Sequence, residues 1–469
     1  MFGLNGSDPS WKMRHILKFP IRVLLFLLAV ASAAGCSIPE RPLVVPVSNP
    51  TATRPKSPQD VKTLEDAIAA IMTVCAEDLG LPPIEPFRLY LYKDPDAYSY
   101  YTDGLPRMRE DNIRLTLAAP HENALHVNVA VARGQPWGTL LRLLAHDYGH
   151  NLEFILIGGA QPRSQWLREG FADWIAAKVM DSLGWESYAS SISRAERELA
   201  RYGPTLPRLS ELESTADWLR VLDRPKGRTG TYGVAFLAVH KLVEKKGTAG
   251  MMDYFQSEIF PESFGLTRSD FDHELQQNVN ELVAANRPRS DSSQAPVPEW
   301  KAGYQWQYLF TAPGIKGIVL NRVTREEVFE KTPSYVLAIG SNEYPHTKNN
   351  LSVLATVSRG KTLSKNDPPS TPLAWPLEAG KQWQNKFVAE NGEPRRSQKI
   401  DTEAVVAAVE EVRVPAGTFK AFRVETYETQ SGELFSEQWY APEVRWFVKS
   451  KIYREEGSVE QQLLNFKLD

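Results

Sequence analysis

A chain of 469 residues with 42% hydrophobic side chains is long enough for about two to four domains and apolar enough to give them real cores. Its 54 basic and 57 acidic side chains nearly cancel, at a formal net charge of −3, so no basic field exists to gather nucleic acid. Two cysteines, Cys36 and Cys75, exclude a cysteine-rich zinc cluster, and no glycine-rich phosphate loop or nucleotide fingerprint occurs, so no nucleotide partner is expected.

At the start of the chain Lys12, Arg14, Lys18 and Arg22 precede the apolar run VLLFLLAVASAAG, too short for a comfortable membrane span of about 20 residues but suited to an export signal. The run ends Ala33-Ala34-Gly35-Cys36, which resembles the lipobox of bacterial lipoproteins. That resemblance implies a signal peptide over residues 1–35, lipidation of Cys36 and a membrane partner reached through the lipid; Ser37, in place of aspartate, implies an outer-membrane lipoprotein of the bacterial cell envelope facing the periplasm. An uncleaved anchor and plain secretory cleavage are the alternatives. Removing residues 1–35 takes away four basic residues and Asp8, leaving 50 basic against 56 acidic. Residues 36–60, rich in Pro, Ser and Thr, are expected to form a flexible tether. Cys75 lies on an apolar helical stretch and reads as a buried free thiol, with a Cys36–Cys75 disulfide as the competitor if lipidation fails.

From residue 61 the pattern becomes that of a folded domain. KTLEDAIAAIMTVCAEDLG has helical spacing, whereas FRLYLY (87–92), IRLTL (113–117) and ALHVNVAVA (124–132) alternate as strands do. Helical periods follow over 138–157, 164–183, 187–203, 231–246 and 268–284, so the order of strands first and helices afterwards predicts an α+β domain over 61–285. Residues 286–299 break the pattern as a linker. The remainder, 300–469, consists of strand-like runs separated by Gly, Pro, Asn and Asp turns and predicts an all-β antiparallel domain, with two subregions divided near residue 370.

Residues 144–151 read LAHDYGHN. On a helix His146 and His150 stand one above the other, so both imidazoles can reach one metal, and Asp147 projects beside the first of them. Downstream, in QWLREGFADW, Glu169 can supply a third ligand from a second helix, and Asp173, one turn on, can accept the remaining ring proton of a ligating histidine. Two histidines, one glutamate and an open position form a catalytic zinc set, where a structural zinc would take four protein ligands. A surface histidine pair is the plainer alternative for H-x-x-x-H alone.

The stretch from His146 to Asp173 resembles the gluzincins, the thermolysin-like metallopeptidases, and looks most like bacterial members related to the M1 and M61 peptidases with a W-L-x-E-G-x-A second motif. The resemblance extends over roughly residues 65 to 285, through Thr231-Tyr232-Gly233 and the following helix. It implies one Zn(2+) per chain on His146, His150 and Glu169, Asp147 in the general-base position, Asp173 holding a ligand ring, Tyr232 as hydrogen-bond donor to the developing oxyanion, and a peptide or protein substrate. It also implies that Leu125, His126, Val127, Asn128 and Val129 form the edge strand that pairs with substrate backbone. Asp147 departs from the pattern, since its carboxylate is one methylene shorter than the usual glutamate, and a displacement of about an ångström can cost about a hundredfold in rate. Two readings follow: a slow or specialised zinc peptidase, or a zincin-like lipoprotein without turnover that binds peptide, glycan or protein.

Residues 405–449, with V-P-A-G-T-F and W-Y-A-P, resemble uncharacterised bacterial envelope β domains. This resemblance implies an antiparallel barrel or curved sheet and no particular chemistry.

Overall fold

The computed structural model describes residues 39–47, 58–103, 117–158, 163–202, 206–286, 291–391, 396–455 and 457–469. The expected signal peptide and Cys36 lie outside the described residues. Among the described residues no helix is long and apolar enough to cross a membrane. An N-terminal region of helices and short strands is followed by a closed antiparallel β-barrel.

The N-terminal region begins with β1 (Leu43–Val47), α1 (Leu64–Thr73), β2 (Phe87–Tyr92), α2 (Pro95–Thr102), β3 (Ala118–His121) and β4 (Ala124–Asn128). The four strands make one sheet in the order β1-β2-β4-β3. Alternation decides its faces: Phe87 and Leu89 of β2 and Leu125 and Val127 of β4 are fully buried against the helices, while Tyr90 and His126 turn the other way and stack at 4.6 Å. Within the expected tether, Leu43–Val47 departs from a flexible linker: it is an edge strand paired antiparallel with β2. Its β-branched residues favour the extended state, and Pro46 is tolerated because a sheet edge need not donate on both sides.

The strand expected over 124–132 is also corrected. The Asn128 side chain accepts the Val131 amide (3.4 Å) and caps the short helix α3 (Val129–Ala132), so Val129 is helical rather than extended. Nor is Leu125–Asn128 an edge. Leu125 pairs with Leu89 of β2 on one side and with Pro120 of β3 on the other, so the main-chain groups assigned to substrate are already engaged. Among the described residues the open edge on that side belongs to β3.

The helical layer comprises α4 (Trp137–Ile157), α5 (Gln165–Ser182), α6 (Tyr188–Tyr202), α7 (Thr215–Leu222), α8 (Val234–Ser257), α9 (Phe260–Phe264) and α10 (Arg268–Ala285). A π-helical turn, Thr229–Gly233, leads into α8. The helix expected to end at residue 246 does break there, at Gly247 (φ +65°), but the chain resumes a helical course to Ser257. Two glycines set how closely these helices cross. A Cβ on Gly149 of α4 would stand 2.8 Å from the Ala172 Cα of α5, and one on Gly170 of α5 would strike the Ala235 carbonyl of α8. Gly149, next to His150, lets α4 close on α5, which carries Glu169, while Gly170, next to Glu169, seats α5 against α8.

After a short pairing of β5 (Gln294–Ala295) with β12 (Leu377–Glu378), the C-terminal region is one barrel. Its first half runs β6 (Gln305–Ala312), β7 (Ile315–Phe329), β8 (Thr332–Ile339), β9 (Asn342–Thr347), β10 (Val353–Ser358) and β11 (Lys361–Ser370). Its second half runs β13 (Gln382–Asn391), β14 (Arg396–Val414), β15 (Gly417–Glu428), β16 (Leu434–Ala441), β17 (Trp446–Ile452) and β18 (Val459–Lys467). Every barrel pairing is antiparallel, and β18 against β6 joins the halves into closure, which removes exposed sheet edges. Trp300, Trp306, Tyr308 and Trp446 dominate the core, and the indole of Trp306 donates to the Val444 carbonyl at 2.8 Å, so its one polar atom is satisfied.

The α6 face carrying Arg197 and Arg201 meets the barrel. Arg197 reaches Tyr453 Oη (2.9 Å) and Glu437 (3.1 Å), Arg201 reaches Glu403 (3.5 Å), and Glu198 accepts the Leu434 amide (2.8 Å). From α4, Arg142 donates to the Glu455 carbonyl at 3.0 Å.

Candidate metal centre

His146 and His150 lie one helical turn apart on α4, with ring centroids 4.9 Å from each other. Glu169 faces them from α5, its Oε2 3.5 Å from His146 Nε2 and 3.8 Å from His150 Nε2. Ligands about 2.0–2.1 Å from a tetrahedral zinc stand about 3.3 Å apart, and the two distances from Glu169 come close to that spacing. Among the described residues they form the His/Cys/Asp/Glu group within one ion's reach, with ligand atoms all within 4.8 Å.

The far side of each ligand is also held. His146 Nδ1 donates to Asp173 Oδ1 at 2.7 Å, and His150 Nδ1 faces Glu153 Oε2 at 3.4 Å. Those partners engage each Nδ1 and turn each Nε2 toward Glu169, as metal ligation requires. Glu153 is fully buried and pairs through its other oxygen with Arg168 Nε at 2.8 Å. Glu169 Oε1 accepts from Gln165 Nε2 (2.7 Å), while Gln165 Oε1 accepts from Arg168 (3.0 Å) and from the Thr215 hydroxyl (3.0 Å). Buried charges persist only when paired and hydrogen-bonded, and here α4, α5 and α7 all contribute to that pairing.

The electrostatics follow from the same contacts. Burial lowers the His146 pKa, but its hydrogen bond to Asp173 and the charges of Asp173 and Glu169 outweigh burial and leave it raised well above 6.5. Burial dominates at His150 and lowers its pKa. Glu169 is held at about 2, because burial, which favours its neutral form, is overcome by His150, His146 and Arg168. A carboxylate that stays ionised while buried, opposite two imidazole Nε2 atoms, is a donor set that fits a divalent cation such as zinc.

The other predicted residues are distributed around this centre. Asp147 is half-buried on α4 between the histidines, and its charge acts together with burial to push the buried Tyr98 hydroxyl of α2 above the ordinary phenol range. Tyr232 lies in the π-helical turn with its ring 6.5 Å from that of His146. Tyr148 is core, packed edge-on against Phe87 at 5.4 Å. His126 is not part of the cluster; it is bonded to the Tyr92 hydroxyl at 2.8 Å and stacked on Tyr90. Cys75 is a free thiol, buried in the α-helical core.

Sequence reasoning missed Glu153, Gln165, Arg168 and Trp218. Glu153 is three residues after His150 and Gln165 four before Glu169, spacings that place each on the ligand's own helix face, so both were discoverable. Trp218, edge-on to Tyr232 at 4.9 Å, comes from a helix with no motif and left no such signal.

No protein-family model matches the sequence, and no curated protein matches it. Solved structures give faint likenesses. A protein from Parabacteroides distasonis described as a lipoprotein shares 13% identity over 38% of this chain and 100% of its own, with a TM-score of 0.20. An exported protein with a YmcC-like fold from Bacteroides fragilis shares 18% over 37% of this chain and 99% of its own, with a TM-score of 0.18. The lipoprotein YmcC from Escherichia coli shares 12% over 34% of this chain and 84% of its own, with a TM-score of 0.19. Scores this low carry no argument, and the functional reading rests on the metal-binding geometry.

Proposed function

We propose that this protein is a zinc-dependent peptidase of gluzincin type that hydrolyses peptide bonds in a protein or peptide of the bacterial envelope. The observation that carries this reading is the convergence of His146 Nε2, His150 Nε2 and Glu169 Oε2, each ligand braced from behind by another side chain. His146, His150 and Glu169 would hold a zinc ion, which would supply Lewis-acid activation of water and of the scissile carbonyl. Asp147 accepts the proton of the attacking water and passes it to the leaving amine. The Tyr232 hydroxyl donates a hydrogen bond to the oxyanion as the tetrahedral state forms. Asp173 and Glu153 hold the imidazole rings in the ligating tautomer throughout. Anchoring through Cys36, as the lipobox resemblance implies, would keep this chemistry at the membrane surface.

Metal content of the purified chain, measured by mass spectrometry beside His146→Ala, tests the reading. About one zinc per chain, lost in the variant, is expected. An absence of bound zinc after reconstitution overturns it. Cleavage of a fluorogenic peptide mixture should then rise in Asp147→Glu, by up to about a hundredfold, because the longer side chain restores the reach that aspartate lacks. Zinc binding with no cleavage by either form would leave the binding-module reading in its place.

A further inference from the structure

Tyr232 is not held by its own domain alone. The turn joining β15 to β16 docks on the segment just before the π-helical turn. The Lys226 amide donates to the Gln430 carbonyl (2.7 Å), the Thr229 hydroxyl to the Ser431 carbonyl (3.1 Å), and Arg228 Nε to Glu433 Oε1 (2.7 Å). Gly432 (φ +79°) makes this approach possible, since a Cβ there would stand 2.9 Å from the Lys226 Cβ. Held by Glu433, the Arg228 guanidinium lies 4.8 Å from the Tyr232 ring centroid, and Trp218 closes on the same ring edge-on. A π-helical turn departs from regular helix geometry, so external contacts bear on where its side chains point.

We propose that the barrel completes the metal site: Arg228, clamped by Glu433 of the β15–β16 turn, is a positioning residue that fixes the Tyr232 ring beside His146. The catalytic consequence rests on the oxyanion role proposed for Tyr232; the positioning itself does not. The barrel is then part of the site's architecture, and whatever displaces its β15–β16 turn changes the placement of Tyr232.

The test uses the full chain carrying 3-fluorotyrosine at position 232, read by 19F NMR. Glu433→Gln and Arg228→Gln should each shift the resonance, Arg228→Lys should return it toward the wild-type position, and Arg325→Gln, which breaks an exposed ion pair elsewhere on the barrel, should leave it unmoved. A resonance unmoved in both Glu433→Gln and Arg228→Gln overturns the proposal. On the fluorogenic peptide mixture, Arg228→Gln should lower kcat between about tenfold and a hundredfold with KM little changed. The same substitution should cause no further loss in a Tyr232→Phe background, and additive losses overturn the proposal by showing that Arg228 does not act through Tyr232. A shifted resonance in a chain whose wild type binds zinc but never cleaves supports the positioning and removes only the peptidase reading.

Discussion

The two regions of this molecule each bury a histidine, and they do so to different ends. In the helical layer His150 has Glu153 behind its Nδ1 and Glu169 opposite its Nε2, both carboxylates supplied by neighbouring turns of α4 and α5. In the barrel His346 donates through Nδ1 to the Tyr344 carbonyl and is walled in by Trp300 and Trp446, with no carboxylate partner for Nε2 among the described residues. Burial holds His346 at a pKa of about 4, so it is neutral filling for an aromatic core. Burial alone thus does not make a ligand. Convergence of a second and a third donor makes a candidate ligand, and among the described residues the crossing of α4 with α5 supplies it.

That contrast can be broken at graded cost. The largest effect is expected for Glu153→Ala, which strands Arg168 as a buried unpaired charge and frees the His150 ring. Thermal or urea unfolding should show a loss of about 3–5 kcal/mol, and zinc affinity should fall about 10- to 100-fold by competition with a chelator. An unaltered zinc affinity would mean that Glu153 is structural filling, as His346 is.

Next comes a pH dependence seated where the regions meet. Burial raises the Glu198 pKa, Arg194 opposes it and Glu433 adds to it, to a value of about 7 against 4.5 for a free glutamate. The folded chain keeps this proton over a range in which the unfolded chain has lost it. This group's contribution to stability is therefore greatest below about pH 4.5, declines as pH rises toward 7, and is constant above, with a total change of at most about 3 kcal/mol. Urea denaturation of wild type and Glu198→Gln across this range should differ by that slope, and parallel curves would refute it.

Gly170→Ala tests the close helix crossing. Its methyl group must displace the Ala235 carbonyl, so about 1–3 kcal/mol of stability and a measurable part of the zinc affinity should be lost together. The smallest effect is expected for His346→Phe, a change of aromatic filling in the barrel, which should cost less than about 1.5 kcal/mol and leave zinc content at the wild-type level. A drop in zinc content there would show the two regions to be coupled well beyond the β15–β16 turn.

Much of the site was legible because helical periodicity is local. H-x-x-x-H fixes His146 and His150 on one face of any helix that forms, and the W-L-R-E-G-F-A-D-W stretch places Glu169 and Asp173 one turn apart in the same way. Strand limits were less legible. Val129 to Ala132 alternate as a strand would, yet Asn128 turns the chain into a helix by capping it, a competition between side chain and main chain that hydrophobic alternation does not register. Whether Leu125–Asn128 lay at an edge or inside the sheet depended on where β3 paired, a non-local choice that the strand's own residues leave open.

By itself the sequence determined the main amphipathic helices and the β-rich character of the second region, and which side chains are chemically able to hold a divalent cation. These follow from short-range periodicity and residue chemistry. Tertiary structure alone decided that Glu169 meets the two histidines, that Glu153, Gln165 and Arg168 brace them, and that a barrel turn some 200 residues downstream rests beside Tyr232. The physical reason is distance along the chain. The candidate ligands on α4 and α5 are brought together by Gly149, which lets the two helices cross closely, and the barrel contact by a turn that fits against one face of a helical layer, neither of which leaves a period in the sequence.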